Sequence, residues 1–361
     1  MNKRLKKLHQ WMIEKDIDST IVNSTENVFY LTGYHCDPHE RLLALIIFRN
    51  IDPILIVPKM EKKSVISTGW AYDIVAYDDT ENPWELVKDR FQAINLIGIE
   101  KTSLNVMKYE EIQKISKTNH FTNVEEILNE LRLIKDSEEI MIMREAAQFA
   151  DLGVEIGISA IAKGKSELEI IATIESELKQ RGVQKMSFDT MVLAGPNSAE
   201  PHGVPSLNKI KDGDLVLFDL GVIHKGYCSD ISRTVAFNSI SDKQREIYDT
   251  VLQAQLKAIE ISIAGNLIMD VDLAARNHIS NSGFGEFFTH RVGHGLGILI
   301  HEYPSMHSLN EGTLKEGMVF TIEPGIYIPD VGGVRIEDDI VITQKGNEVL
   351  TKFTKELLII K

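Results

Sequence analysis

An aspartate set inside an apolar, strand-like run is the feature that most limits how this chain can fold. Asp219 closes one apolar strand in LVLFDLGV, and Asp230 sits in the next run, YCSDISRT, across a turn at His224, Lys225 and Gly226. If the turn takes two residues, whether His-Lys or Lys-Gly, the side-chain period of two puts both carboxylates on one sheet face, directly or diagonally opposite. Opposed like charges destabilise a sheet. An aspartate among Leu, Val and Phe is badly placed to relieve this by facing water. A shared cation would satisfy both groups.

Two further stretches raise the same problem. VFTIEPGIYIPDVGGVRIEDDIVI reads as two strand-like runs with a Gly-Gly return, Glu323 in the first and Glu337 in the second. Each lies among apolar or β-branched residues, where an unpaired carboxylate is costly to bury. Ahead of them comes HRVGHGLGILIHEYP, with His290, His294 and His301 in a frame of glycines at 293, 295 and 297 that would let backbone and metal approach closely. Histidine is the commonest nitrogen ligand. Two aspartates, two glutamates and an imidazole suit two divalent ions, held roughly 3.5–4 Å apart with a bridging water acidified toward neutral pH. Oxygen-rich ligation favours Mn²⁺ or a similar ion over a thiolate zinc site, with Co²⁺ and Zn²⁺ as alternatives.

At 361 residues the chain exceeds the roughly 250–300 that one core supports, so two domains are expected, residues 1–132 and 133–361. Apolar and charged fractions of 43% and 25% argue against disorder and coiled coil. The first part alternates: a helix near Lys3 to Lys15, a strand at Ser19 to Asn23, then strands Leu42 to Phe48 and Ile51 to Val57 joined by Arg49 and Asn50, with further strands at 72–77 and 95–100. In the second part, Asp136 with Glu139, Ser166 with Glu169 and Ser241 with Gln244 have the form of capping boxes opening helices. β-rich stretches at 189–194, 214–222, 227–236, 317–328 and 333–342 follow in the order helix pair, strands, helix pair, strands. This predicts an α/β protein whose second domain is two α/β halves packed back to back.

The net charge of −14 argues against a nucleic-acid partner, which needs clustered Lys and Arg. The longest wholly apolar run, Leu42 to Phe48, is far too short to span a membrane, and no export leader is expected because Leu8 to Asp16 is mixed in character. Two scattered cysteines, Cys36 and Cys228, fit a reducing cytoplasm.

The phrases LFDLG, YCSDISRT, HRVGHGLG, HEYP, TIEPG and VRIEDD occur in an order and at spacings that resemble the pita-bread metallopeptidases: methionine aminopeptidase, aminopeptidase P and prolidase. The resemblance covers roughly residues 135 to 361 and is nearest to bacterial prolidase. It implies a creatinase-like N-terminal α/β domain followed by a pita-bread domain with pseudo-twofold halves. It further implies that Asp219 chelates one metal, Asp230 and Glu337 bridge both, and His294 with Glu323 completes the other. In such enzymes a hydroxide held between the metals attacks the scissile carbonyl, Glu323 would act as general base and acid, and His301 would hydrogen-bond the developing oxyanion. His202 in SAEPHGVP matches a substrate-facing histidine. His290 looks second to the ligands or substrate-facing, and Arg335 would share the face of Glu337 and steady the site.

An N-terminal domain of this size excludes methionine aminopeptidase by resemblance, and intact ligand positions exclude creatinase. A dipeptidase must bind a free carboxylate beyond the cut, for which Arg291 is the first candidate. The charged loop YHCDPHERLL resembles one in bacterial prolidases, where the N-terminal domain lies over the partner subunit's site. Asp37, His39, Glu40 and Arg41 are therefore expected to cap a neighbouring active site in a homodimer and screen substrate length. The resulting expectation is a prolidase acting on short proline-containing peptides, with Phe287, Phe288 and Tyr327 as candidates for proline contact. Aminopeptidase P, acting on longer Xaa-Pro peptides, is the alternative within catalysis; a non-catalytic binding protein on the same fold is the alternative outside it.

Overall fold

The computed structural model describes residues 1–361, and the chain divides into two units, Met1–Arg132 and Leu133–Lys361. The first runs α1 (Lys3–Glu14), β1 (Ser19–Val22), α2 (Thr25–Thr32), β2 (Ala44–Phe48), β3 (Ile54–Pro58), α3 (Lys62–Ser67), β4 (Asp73–Tyr77), β5 (Leu96–Ile99), α4 (Val106–Ser116), β6 (His120–Asn123) and α5 (Glu125–Leu133). Its strands form one mixed sheet in the order β4-β3-β2-β1-β5-β6. β2 and β3 bury every residue, which is why they read as unbroken apolar runs rather than as alternating ones. α1 turns Leu5, Leu8 and Met12 inward at helical spacing, and Asn2 caps it by accepting from the Leu5 N–H. The connection between β2 and β3 is longer than Arg49 and Asn50. It takes residues 49–53, because Pro53 has no N–H for a ladder and the register closes only at Ile46 with Ile54.

The second unit runs α6 (Ser137–Ala160), α7 (Glu167–Gln180), β7 (Lys185–Met186), β8 (Met191–Ala194), β9 (Leu215–Leu220), β10 (Val222–His224), β11 (Tyr227–Cys228) and β12 (Ile231–Phe237). It continues with α8 (Asp242–Ile261), α9 (Ile268–Asn281), β13 (Gly293–Gly295), β14 (Glu302–Met306), β15 (Val319–Ile322), β16 (Gly325–Ile328), β17 (Gly332–Arg335), β18 (Asp338–Thr343), β19 (Gly346–Val349) and β20 (Ile359–Ile360). All three capping boxes are formed, satisfying N–H groups that a first helical turn leaves over.

α6 and α7 pack through Ala150, Val154, Ile170 and Ile174 onto Val216, Phe218 and Val235 of the sheet β20-β12-β9-β8. α8 and α9 bring Val251, Ala254, Val271 and Ala275 against Phe320, Ile322 and Ile340 of the sheet β14-β13-β15-β18-β19. Each half is thus a helix pair on a sheet.

The long β-rich runs break where the acids lie. Residues 317–328 divide into β15 and β16 around Glu323 and Pro324, and residues 333–342 into β17 and β18 around Ile336 and Glu337. Both glutamates therefore stand at strand ends, not within continuous strands. The register survives the break: Ile322 pairs with Asp338 and Gly325 with Arg335, which sets Glu323 opposite Glu337. No helix is long and apolar enough to cross a membrane.

Candidate metal centre

The turn between β10 and β11 takes two residues, Lys225 and Gly226, at φ of 48° and 86°, the positive values that a tight hairpin of this hand requires. Its register pairs Asp219 with Ser232. Asp230, two residues before Ser232, is therefore diagonal to Asp219 on the same face. Glu337 reaches the same place from the other half, where Ser232 Oγ donates to its Oε2 at 2.8 Å and its own N–H donates to the Ser232 carbonyl at 3.1 Å. Ligand atoms of Asp230, His294 and Glu337 all lie within 4.8 Å of one another. His294 Nε2 is 3.5 Å from Glu323 Oε1 and 3.7 Å from Asp230 Oδ2. Asp219 is outside that trio and is held by the Arg335 guanidinium, which also donates to Ser232 Oγ at 2.8 Å and Tyr327 OH at 2.9 Å.

The charges of this cluster do not balance. Burial, and then Glu337 and Asp219, push the Asp230 carboxyl well above its ordinary range. Burial, and then Glu323 and Asp219, do the same to Glu337. Glu323 is pushed up to about 7 by burial and by Asp219, against Arg335 and Arg291. Burial and the neighbouring His301 drive His294 down to about 3, so its imidazole is neutral and free to act as a ligand near pH 7. One carboxylate oxygen of Asp219 and one of Asp230 are buried without any hydrogen-bond partner. Such orphans are uncommon in folded proteins. Hard carboxylate oxygens beside a neutral imidazole are the donor set that divalent ions take, so these residues fit a metal.

A cavity of about 390 Å³ opens onto the cluster, and His202, His290, Arg291, His301 and Arg335 share its wall with the acids and His294. The His301 ring meets His294 edge-on, with centroids 4.2 Å apart. His290 is fixed between Tyr327 OH at 3.0 Å and the Arg291 carbonyl at 2.8 Å, and burial lowers it to about 4. Arg291 donates to Ser305 Oγ at 2.8 Å. Asp37, His39, Glu40 and Arg41 belong to the first unit, in a largely exposed loop; Asp37 accepts from the His39 N–H at 3.0 Å, and Arg41 binds Asp79 through two bonds of 2.8 and 3.1 Å.

The expected proline contacts change. Phe287 and Phe288 pack into the core beneath α8 and α9, and Tyr327 spends its hydroxyl on His290 and Arg335. The apolar wall is instead Phe188, Met191, Pro201 and Ile300, which no periodicity singles out. A Cβ on Gly293 or Gly295 would stand 2.0 or 2.4 Å from the carbonyl oxygens of Thr321 and Tyr303, so these glycines do permit the close backbone approach expected of them. Two further polar residues, Ser232 and Asp339, touch the acids. Ser232 could have been found, since it lies directly across the hairpin from Asp219. Asp339 accepts the Asp230 N–H at 3.0 Å and had no comparable signal.

Residues 141–344 match metallopeptidase family M24, and residues 4–134 match the creatinase/prolidase N-terminal domain. The chain is 49% identical over 361 residues, 99% of each protein, to one from Bacillus subtilis strain 168 named "Putative dipeptidase YkvY". Among solved structures it resembles the prolidase from Pyrococcus horikoshii OT3, with a TM-score of 0.93 and 38% identity over 99% of this chain and 100% of that one. It also resembles an Xaa-Pro dipeptidase from Bacillus anthracis, with a TM-score of 0.93 and 36% identity over 99% of each chain. The chain belongs to metallopeptidase family M24, a family that works with divalent metal ions, and carries a creatinase/prolidase domain ahead of its pita-bread catalytic domain.

Proposed function

We propose that this metallopeptidase is a prolidase that hydrolyses Xaa-Pro dipeptides at a two-metal centre held by Asp219, Asp230, His294, Glu323 and Glu337. The observation that carries the reading is a 390 Å³ cavity joining buried, uncompensated carboxylates to a guanidinium, that of Arg291. Mn²⁺ suits so oxygen-rich a set best, with Co²⁺ or Zn²⁺ as alternatives. When bound, the ions would acidify a water and polarise the scissile carbonyl.

The protein's own groups do the rest. Glu323, on the cavity wall and opposite Glu337 in register, would take a proton from the attacking water and return it to the leaving proline nitrogen. His301 and His202, on the same wall, can donate to the carbonyl oxygen as it gains charge. Arg335 and Tyr327 hold Asp219 and His290 in place. Arg291 offers two parallel donors to the substrate's free carboxylate, one residue beyond the cut. Phe188, Met191 and Ile300 supply apolar contact of the kind a tertiary amide without an N–H needs.

The reading extends to a cytoplasmic homodimer in which Asp37, His39, Glu40 and Arg41 cap the partner subunit's site and reject longer peptides. The similarity of the whole chain to a prolidase and to an Xaa-Pro dipeptidase supports the assignment of Xaa-Pro dipeptides as substrates. Hydrolysis of Ala-Pro, Ala-Pro-Ala and Ala-Ala by metal-free protein reloaded with Mn²⁺, Co²⁺ or Zn²⁺ tests the proposal. Ala-Pro should be cut well ahead of the others. Faster cleavage of Ala-Pro-Ala would make the enzyme an aminopeptidase P, and equal cleavage of Ala-Ala would remove the proline requirement.

A further inference from the structure

We propose that the buried ion pair between Lys135 and Glu302 is a positioning device for His301, acting on turnover through the segment that presents this histidine. The inference rests on the reading of His301 given above. Lys135 and Glu302 have side chains 2% and 5% exposed, with Nζ and Oε2 3.4 Å apart. Lys135 is itself fixed, its N–H donating to the Gly317 carbonyl at 2.8 Å.

Glu302 directly follows His301 and grips the segment before it. Its Oε1 accepts the Leu299 N–H at 2.9 Å, and its carboxylate lies so close to Gly297 that a Cβ there would meet it at 2.6–2.8 Å. Gly297 is tied from its other side by the Cys228 N–H, which donates to its carbonyl at 2.7 Å. One carboxylate thereby closes residues 297–302 into a loop. His301 stands on that loop as an exposed residue whose ring leans edge-on against His294. The backbone that carries this imidazole is held by Glu302, which fixes where the ring is anchored beside His294. Lys135 does not line the cavity, so it acts through His301 and not on the substrate.

The test is a mutant cycle on Mn²⁺-loaded protein of matched metal content, with Ala-Pro as substrate. Lys135→Met with Glu302→Gln removes both charges together, so that neither is left buried alone. The pair should lower kcat roughly tenfold to a hundredfold, the scale of loss when a catalytic group is displaced, while KM moves little. Lys135→Arg should restore most of the turnover. In a His301→Ala background the double substitution should have no further effect, because its route is gone.

An equal loss in both backgrounds, or no loss in the parent, overturns the tether. Full turnover by His301→Ala alone would instead sink the assignment of His301. If the double variant does not fold, Glu302→Asp, which shortens the reach by one methylene, gives the same comparison. A readout independent of turnover is the ¹³C-histidine NMR spectrum of the metal-free protein. Loosening of the tether should split or shift the His301 resonance, and an unchanged resonance overturns the proposal.

Discussion

Glu337 and Asp338 are neighbours in the chain and are 2% and 0% exposed, yet their surroundings are opposite. Asp338 receives Arg233 at 2.7 Å, Lys355 at 2.6 Å, Gln255 at 2.7 Å and Thr351 at 2.8 Å. Against the cost of burial, the two cations hold its carboxyl below the ordinary range. Glu337 receives a single hydroxyl, from Ser232, and burial with Glu323 and Asp219 nearby drives it the other way. The fold therefore can deliver cations to a buried acid in this run, and it withholds them from Glu337 and Asp230. One acid is paired with two cations of the fold; the other two are set against further acids.

The sharpest way to break this contrast is Asp230→Asn. That change keeps the shape of the side chain and removes its charge, so metal content should fall and kcat/KM should drop by about a thousandfold or more. Elemental analysis and peptide hydrolysis on the same preparation check it. Undiminished hydrolysis in this variant, or in thoroughly chelated protein, would mean that the unbalanced acids are not a metal centre.

The second test sets the neighbours against each other. Asp338→Asn strands Arg233 and Lys355 and should destabilise the protein by about 3–5 kcal/mol, as removal of one partner from a buried pair does. Glu337→Gln should leave the metal-free protein at least as stable as the parent, since burial and the neighbouring Glu323 and Asp219 already oppose the charge it removes. Denaturant melts of the two variants decide; similar losses would erase the distinction.

The third is a matter of pH. Glu323 has a folded-state pKa of about 7 against an ordinary 4.5, so the folded metal-free protein binds more protons there than the unfolded chain. Its contribution is fully present below about 4.5 and is lost as pH rises through 7. Glu323→Gln removes that titration. Relative to the parent, the metal-free variant should gain stability between pH 4.5 and 7.5, by on the order of 3 kcal/mol for a shift of this size. A pH-independent difference between the two would show that Glu323 is not held protonated.

The same contrast explains what could be read in the sequence. Buried charge in strands was legible because periodicity predicts where Asp219 and Asp230 point, and the two-residue turn at Lys225 and Gly226 fixes their register. Capping boxes were legible because they are local. The breaks at Glu323 and Glu337 were not, since the runs around them are apolar enough to pass for continuous strands. Nor was the wall of Phe188, Met191, Pro201 and Ile300, which is assembled from three loops and a strand end with no shared period. The cations on Asp338 come from Arg233 and Lys355, far apart in sequence, and only tertiary packing brings them together.

A third kind of charge pairing extends the comparison to the first unit. Arg41 and Asp79 are joined by two hydrogen bonds at the surface, where ion pairs contribute little to stability because solvent screens them and both side chains lose freedom. Arg41→Ala should therefore leave the thermal midpoint and the metal content unchanged. If the loop caps the partner subunit's site, dipeptide turnover should nonetheless fall several-fold, because the substrate loses a wall and not because the protein loses its fold. Side-by-side measurement of kcat, KM and melting on one preparation separates the two effects. Unchanged kinetics would remove the lid, and a lowered melting midpoint would mean that the Arg41–Asp79 pair braces the first unit as the buried pairs brace the second.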